Sequence, residues 1–67
     1  RVIATPEGIL VLGLQGATVE LYTASGAQVG HYQITEPEQL IAEQLQSGIY
    51  VVAAHKAGEV RTFRLIL

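Results

Sequence analysis

Val19-Glu20-Leu21-Tyr22-Thr23-Ala24-Ser25-Gly26-Ala27-Gln28-Val29 is the stretch whose reading decides the fold. Val19, Leu21 and Thr23 alternate with Thr18, Glu20 and Tyr22 at period two, which predicts a strand with one buried face over Ala17 to Thr23. Ala24-Ser25-Gly26-Ala27 is a hairpin loop, with Gly26 as the residue suited to a positive φ. Gln28 to Thr35 returns as the partner strand. There Val29 points one way while Tyr32 and Ile34 point the other, so Gly30 marks a bulge that resets the register.

Downstream, Gln46-Ser47-Gly48 is a turn and Ile49 to His55 a strand with apolar residues on both faces. Lys56-Ala57-Gly58-Glu59 closes a second hairpin with Gly58 at its corner. Val60 to Leu67 follows as the last strand, where Phe63, Leu65 and Leu67 oppose Thr62 and Arg64. Upstream, Arg1 to Ala4 is a short strand, Thr5-Pro6-Glu7-Gly8 a turn, and Ile9 to Leu14 a run apolar on both faces. Six or seven short strands with closely spaced turns predict a small antiparallel sandwich or barrel.

Thr35 to Gln46 reads two ways. Thr35 and Glu38 have capping-box spacing, Pro37 is tolerated in a first turn, and Gln39 to Gln46 are good helix formers, so local propensity predicts a two-turn helix. The rival is a short strand with Leu40 and Ala42 on one face.

Composition narrows the function classes. The 67 residues make at most one domain, and 49% are apolar, too many for a disordered chain. With no Cys, Asp, Asn, Trp or Met, the chain can form no disulfide, Ser-His-Asp triad, EF-hand loop or glycosylation sequon. A net charge of −2 argues against nucleic acid. No run is long enough to span a bilayer as a helix. The opening Arg1-Val2-Ile3-Ala4 has neither an initiator Met nor a signal-peptide pattern, so the sequence is expected to be a fragment of a longer protein.

Candidate chemistry is sparse. His31 and His55, as a metal pair, would need a third ligand from Glu20, Glu43 or Glu59. Ser25 and Ser47 sit in turns, and Glu36, Glu38 and Glu43 read as a solvated acidic loop. Gly13-Leu14-Gln15-Gly16 lacks the Lys-Ser/Thr of a phosphate loop. The expectation is a domain that is not an enzyme and uses no cofactor or metal.

Two segments carry a more specific resemblance. Val19 to Val29 resembles a "v-x-i-y-d-x-x-G-x-x-V" hairpin, and Leu45-Gln46-Ser47-Gly48-Ile49-Tyr50-Val51-Val52 resembles "L-x-x-G-v-Y-i-v". In order, spacing and a final basic-apolar strand, they resemble the C-terminal sorting domain of type IX secretion cargo in Bacteroidetes-type bacteria. The resemblance covers nearly the whole chain. Thr23 stands where the family often has Asp or Asn, Gln46 where it often has Pro, and Leu67 where a terminal lysine is frequent.

The resemblance implies an Ig-like antiparallel sandwich of about seven strands. It also overrules the helix: the segment before the second motif would be extended, with Leu40, Ala42 and Leu45 facing the core. It implies a non-catalytic address label that the type IX translocon reads and that an outer-membrane sortase commonly removes, so that the cargo reaches the cell surface. Expected recognition residues are Gly48, Tyr50, Gly58, Arg61, Arg64, Leu65, Ile66 and Leu67, with Gly26, Val19, Leu21, Val52 and Phe63 maintaining the motif's structure. The apolar runs Ile9–Leu14 and Ile49–Ala54 would favour weak self-association. The alternative is an Ig-like or fibronectin-like accessory adhesion or carbohydrate-binding module, for which Tyr22 and Tyr32 are the only aromatic candidates.

Overall fold

The hairpin read from Val19 to Val29 forms one half of a four-stranded sheet. In the computed structural model, which describes residues 1–67, the chain forms seven strands: β1 Val2–Thr5, β2 Gly8–Leu12, β3 Thr18–Thr23, β4 Gln28–Gln33, β5 Glu38–Ile41, β6 Ile49–Lys56 and β7 Glu59–Ile66. They make two antiparallel sheets, one ordered β1-β2-β5 and the other β4-β3-β6-β7. The architecture is an all-β, Ig-like sandwich, and it contains no helix long and apolar enough to cross a membrane.

Period-two alternation explains the core. Ile9 and Val11 from β2, Val19 and Leu21 from β3, and Val52 from β6 are fully buried between the sheets. Ala17 and Ile34 flank the β3–β4 pair and join the same cluster; the Ile34 N–H donates to the Ala17 carbonyl at 2.9 Å, and the Ile34 carbonyl accepts the Gly16 N–H at 2.8 Å. Phe63, Tyr32, Leu45 and Leu67 pack against its margin. No polar side chain is buried, and no buried side-chain polar atom lacks a partner. The sandwich is therefore held by apolar burial and ladder hydrogen bonds.

The β3–β4 register skips one residue. Leu21 faces Gly30 while Tyr22 faces Gln28, so Val29 is the extra residue and is left exposed. The bulge expected beside Gly30 is present. The Tyr32 ring lies over Gly30, so close that a Cβ there would meet its hydroxyl at 2.6 Å.

The helix predicted from propensity over Gln39 to Gln46 does not form. Glu38–Ile41 is strand β5, paired with Leu12–Ile9 of β2. Two turns of isolated helix cannot repay their nucleation cost, whereas pairing completes the second edge of β2. Side-chain bonds also hold the segment extended: Gln39 accepts the Thr35 N–H at 2.9 Å and donates to the Gln33 carbonyl at 3.2 Å.

The facing expected for this segment needs one correction. Ile41 enters the core, while Leu40 is 40% exposed. Ala42 and Leu45 do pack against the core, but from the irregular segment after β5, where Ala42 and Gln44 have positive φ. Gly8 permits this close packing, because a Cβ on it would meet the Ile41 carbonyl oxygen at 2.8 Å.

Candidate functional site: the β6–β7 hairpin and its sheet face

Strands β6 and β7 pair over their whole length, from Ile49 opposite Ile66 to Lys56 opposite Glu59. Beyond the open end, Gly48 and Leu67 exchange two further backbone bonds, of 3.1 and 2.8 Å. The closed end is the two-residue loop Ala57-Gly58, with φ of 53° and 79°. Positive φ at both positions is the type I′ turn that matches strand twist, and Gly58 takes it without strain.

The candidate recognition residues are spread along this hairpin rather than gathered at one place. Gly48, Tyr50, Leu65, Ile66 and Leu67 lie at the open end, and Gly58 and Arg61 at the closed end. Eight residues of strand separate the two by roughly 27 Å. Arg64 lies between them, exposed on the outer face and opposite Val51.

Several of these residues are occupied structurally. Tyr50 is buried, and its hydroxyl donates to the Gln46 carbonyl at 2.8 Å. The contact ties the second motif's tyrosine back to its own turn, in the manner of the tyrosine corner of Ig-like sandwiches. Leu65 is buried and Leu67 packs against the core. Arg61, Arg64 and Ile66 are the exposed members, Ile66 at 73%. Of the motif residues, Val19, Leu21 and Val52 are fully buried, Phe63 is half-buried, and Gly26 turns the first hairpin at φ 94°.

Each end of the sandwich has a shallow open cleft. One, of about 390 Å³, lies between the β1–β2 turn, the segment after β5 and the end of β7, with Thr5, Gln44, Leu45 and Ile66 in its walls. The other, of about 290 Å³, is lined by Leu14, Lys56, Glu59 and Arg61.

The outer face of the four-stranded sheet carries a polar network. His55 donates from Nε2 to Oε1 of Glu20 at 2.9 Å, and the Tyr22 hydroxyl donates to the same oxygen at 3.1 Å. These bonds, His55 first, hold the Glu20 carboxyl below its usual range, while the Glu20 carboxylate raises the Tyr22 phenol above its own. His31 is the cross-strand neighbour of Glu20 on the other side. Of the two histidines weighed as a metal pair, only His55 bonds the Glu20 carboxylate, and no group of three or more His, Cys, Asp or Glu has an arrangement that could hold a metal ion. Tyr22 and Tyr32 are both partly buried.

Among the exposed residues that alternate with Phe63 and Leu65, sequence reasoning singled out Arg64 and Ile66 for recognition but not Val60 or Thr62. Val60 is 58% exposed, and Thr62 lies beside it on the same face. Their signal was in the period-two pattern of β7, but which edge of that strand is free depends on the strand order.

The fold and this hairpin define the chain as a small Ig-like β-sandwich with a long edge hairpin. Among known proteins, the chain matches no family model, no curated protein and no solved structure.

Proposed function

We propose that this chain is a non-catalytic sorting domain of the type IX kind, a folded address label that a secretion translocon reads at the outer membrane. The observation that carries the reading is that its two motifs occupy two hairpins of one sheet. Val19 to Val29 covers β3 and enters β4, and the second motif, Leu45 to Val52, leads into β6 and supplies its first four residues, Ile49 to Val52. A label read in the folded state needs an exposed, rigid element, and β7 is an eight-residue edge strand with Arg61 and Arg64 exposed along it. An edge strand adds backbone hydrogen bonds to whatever surface its side chains contact. Translocon and sortase are the partners this reading implies, and the cell surface is the destination of the cargo.

The test is a fusion of residues 1–67 to the C-terminus of a periplasm-targeted reporter, expressed in a Bacteroidetes host with an intact type IX system and in a matched host lacking the translocon. Reporter at the surface only in the intact host is the expected result. Reporter retained in the periplasm of both hosts, with the domain shown to be folded, overturns the reading.

A further inference from the structure

Strand β7 presents an unpaired edge whose bonding pattern follows from its pairing with β6. Gly48 and Leu67 exchange both backbone bonds, which marks them as a hydrogen-bonded pair. In an antiparallel ladder such pairs alternate with pairs that do not bond. Counting back from Leu67, residues Leu65, Phe63, Arg61 and Glu59 therefore point their N–H and C=O groups at β6. Val60, Thr62, Arg64 and Ile66 point theirs away from it, and no strand pairs with β7 on that side. The side chains of all four are exposed.

We propose that this edge docks a second copy of the same chain, antiparallel and two-fold symmetric, with Phe63 on the axis. The inference does not rest on the sorting function, but it uses the same free edge of β7, so a second copy and a translocon would compete for it. Three symmetric registers bring outward-pointing residues together near the middle of β7. Centring on Thr62 pairs Val60 with Arg64 of the second copy and leaves Ile66 without a partner. Centring on Arg64 sets the two arginines directly opposite each other, which is repulsive, and leaves Val60 unpaired.

Centring on Phe63 pairs Val60 with Ile66 and Thr62 with Arg64, so every outward group on β7 bonds. This register also joins Val60 and Ile66, the two most exposed large apolar side chains of the chain, at 58% and 73%. It buries them twice, once at each end of the junction. Of the usual protections against such pairing the edge has charged side chains, Glu59, Arg61 and Arg64, but no proline, no lysine and no bulge. Its one unfavourable contact is Arg64 diagonal to its copy. That repulsion keeps the dimer weak and makes it tighter as salt rises.

The test is sedimentation of the chain over a wide concentration range, combined with a proline variant. Thr62→Pro removes an N–H that points away from β6, so the monomer tolerates it, but the ring would strike the Arg64 carbonyl of the second copy. Wild type is expected to move from the monomer mass of 7.2 kDa toward about twice that value as concentration rises. Thr62→Pro should stay monomeric with an unchanged circular dichroism spectrum, and Thr62→Val should associate like wild type. Arg64→Gln should associate at lower concentration than wild type. In an isotopically mixed sample, a nuclear Overhauser contact between the two Phe63 Hα atoms is expected, since facing non-bonded residues bring these atoms together.

Wild type that stays monomeric at every concentration overturns the inference. Association of folded Thr62→Pro at the wild-type concentration does the same. A dimer whose inter-chain contacts centre on another residue overturns the register. Should Thr62→Pro fail to fold, Val60→Pro removes another outward N–H and is judged by the same outcomes.

Discussion

His55 reaches across β3 and β6 to place its Nε2 at 2.9 Å from Oε1 of Glu20, on the oxygen that also accepts the Tyr22 hydroxyl. Two side chains, His55 of β6 and Tyr22 of β3, thus share the Glu20 carboxylate on the open face of the sheet. The network lowers the Glu20 carboxyl and raises the Tyr22 phenol from their ordinary values.

In Glu20→Gln a neutral and weaker acceptor replaces the carboxylate whose hydrogen bond, and then whose charge, raises the Tyr22 phenol, so the phenol titration should fall part of the way back toward that of an ordinary tyrosine. Ultraviolet titration of wild type and variant checks this. The stability effect has a defined pH window. Because the folded Glu20 carboxyl titrates below its unfolded counterpart, its contribution is present above the unfolded pKa and disappears as pH falls through the folded one. The difference in Tm between wild type and Glu20→Gln should accordingly shrink on acidification below the ordinary carboxylate range. Tyr22 runs the opposite way: its contribution is full below the unfolded phenol pKa and is lost as pH rises through the raised folded one.

Ala57 holds φ at 53° in the first position of the β6–β7 turn. A left-handed alanine is strained, and asparagine adopts this conformation more readily. Ala57→Asn is expected to stabilise the fold by about 0.5–1 kcal/mol. Urea denaturation would register this as a higher midpoint at constant slope.

Ile41 and Leu40 are adjacent and chemically alike but face opposite sides of β5. Ile41→Ala should cost about 2–4 kcal/mol, a large part of the roughly 3–10 kcal/mol available to a domain of this size. Leu40→Ala should cost about 0.5 kcal/mol or less. Reversed losses, with Leu40→Ala the costlier, would place β5 in the other facing.

Tyr50→Phe keeps the buried ring but leaves the Gln46 carbonyl without its 2.8 Å donor. The expected loss is about 0.5–1.5 kcal/mol. Faster amide exchange around Ser47 and Gly48 would show that the hydroxyl holds the turn before β6.

Arg61 and Arg64 are exposed and form no ion pair. Arg61→Ala combined with Arg64→Ala should fold like wild type, with a Tm shift of only a few degrees. Under the proposed function the same double variant, fused to the reporter, should lose surface delivery. Wild-type delivery would exclude direct reading of these charges.

The sequence by itself determined the strands with a clean alternation and the turns with fixed backbone chemistry. Val19 and Leu21 were legible as core, and both hairpins and the bulge at Gly30 were legible too, because side-chain period and glycine conformation are local properties. Only the tertiary structure decided the rest. Gln39 to Gln46 has helix propensity, yet Glu38–Ile41 is a strand because the open edge of β2 supplied partners that a two-turn helix lacks. Ile41 rather than Leu40 faces inward because pairing with Ile9 sets the register. The meeting of His55 with Glu20, and the choice of Val60, Thr62, Arg64 and Ile66 as the free edge, follow from the order β4-β3-β6-β7. Strand order is settled by how two sheets bury their apolar faces together, and no residue carries that information alone.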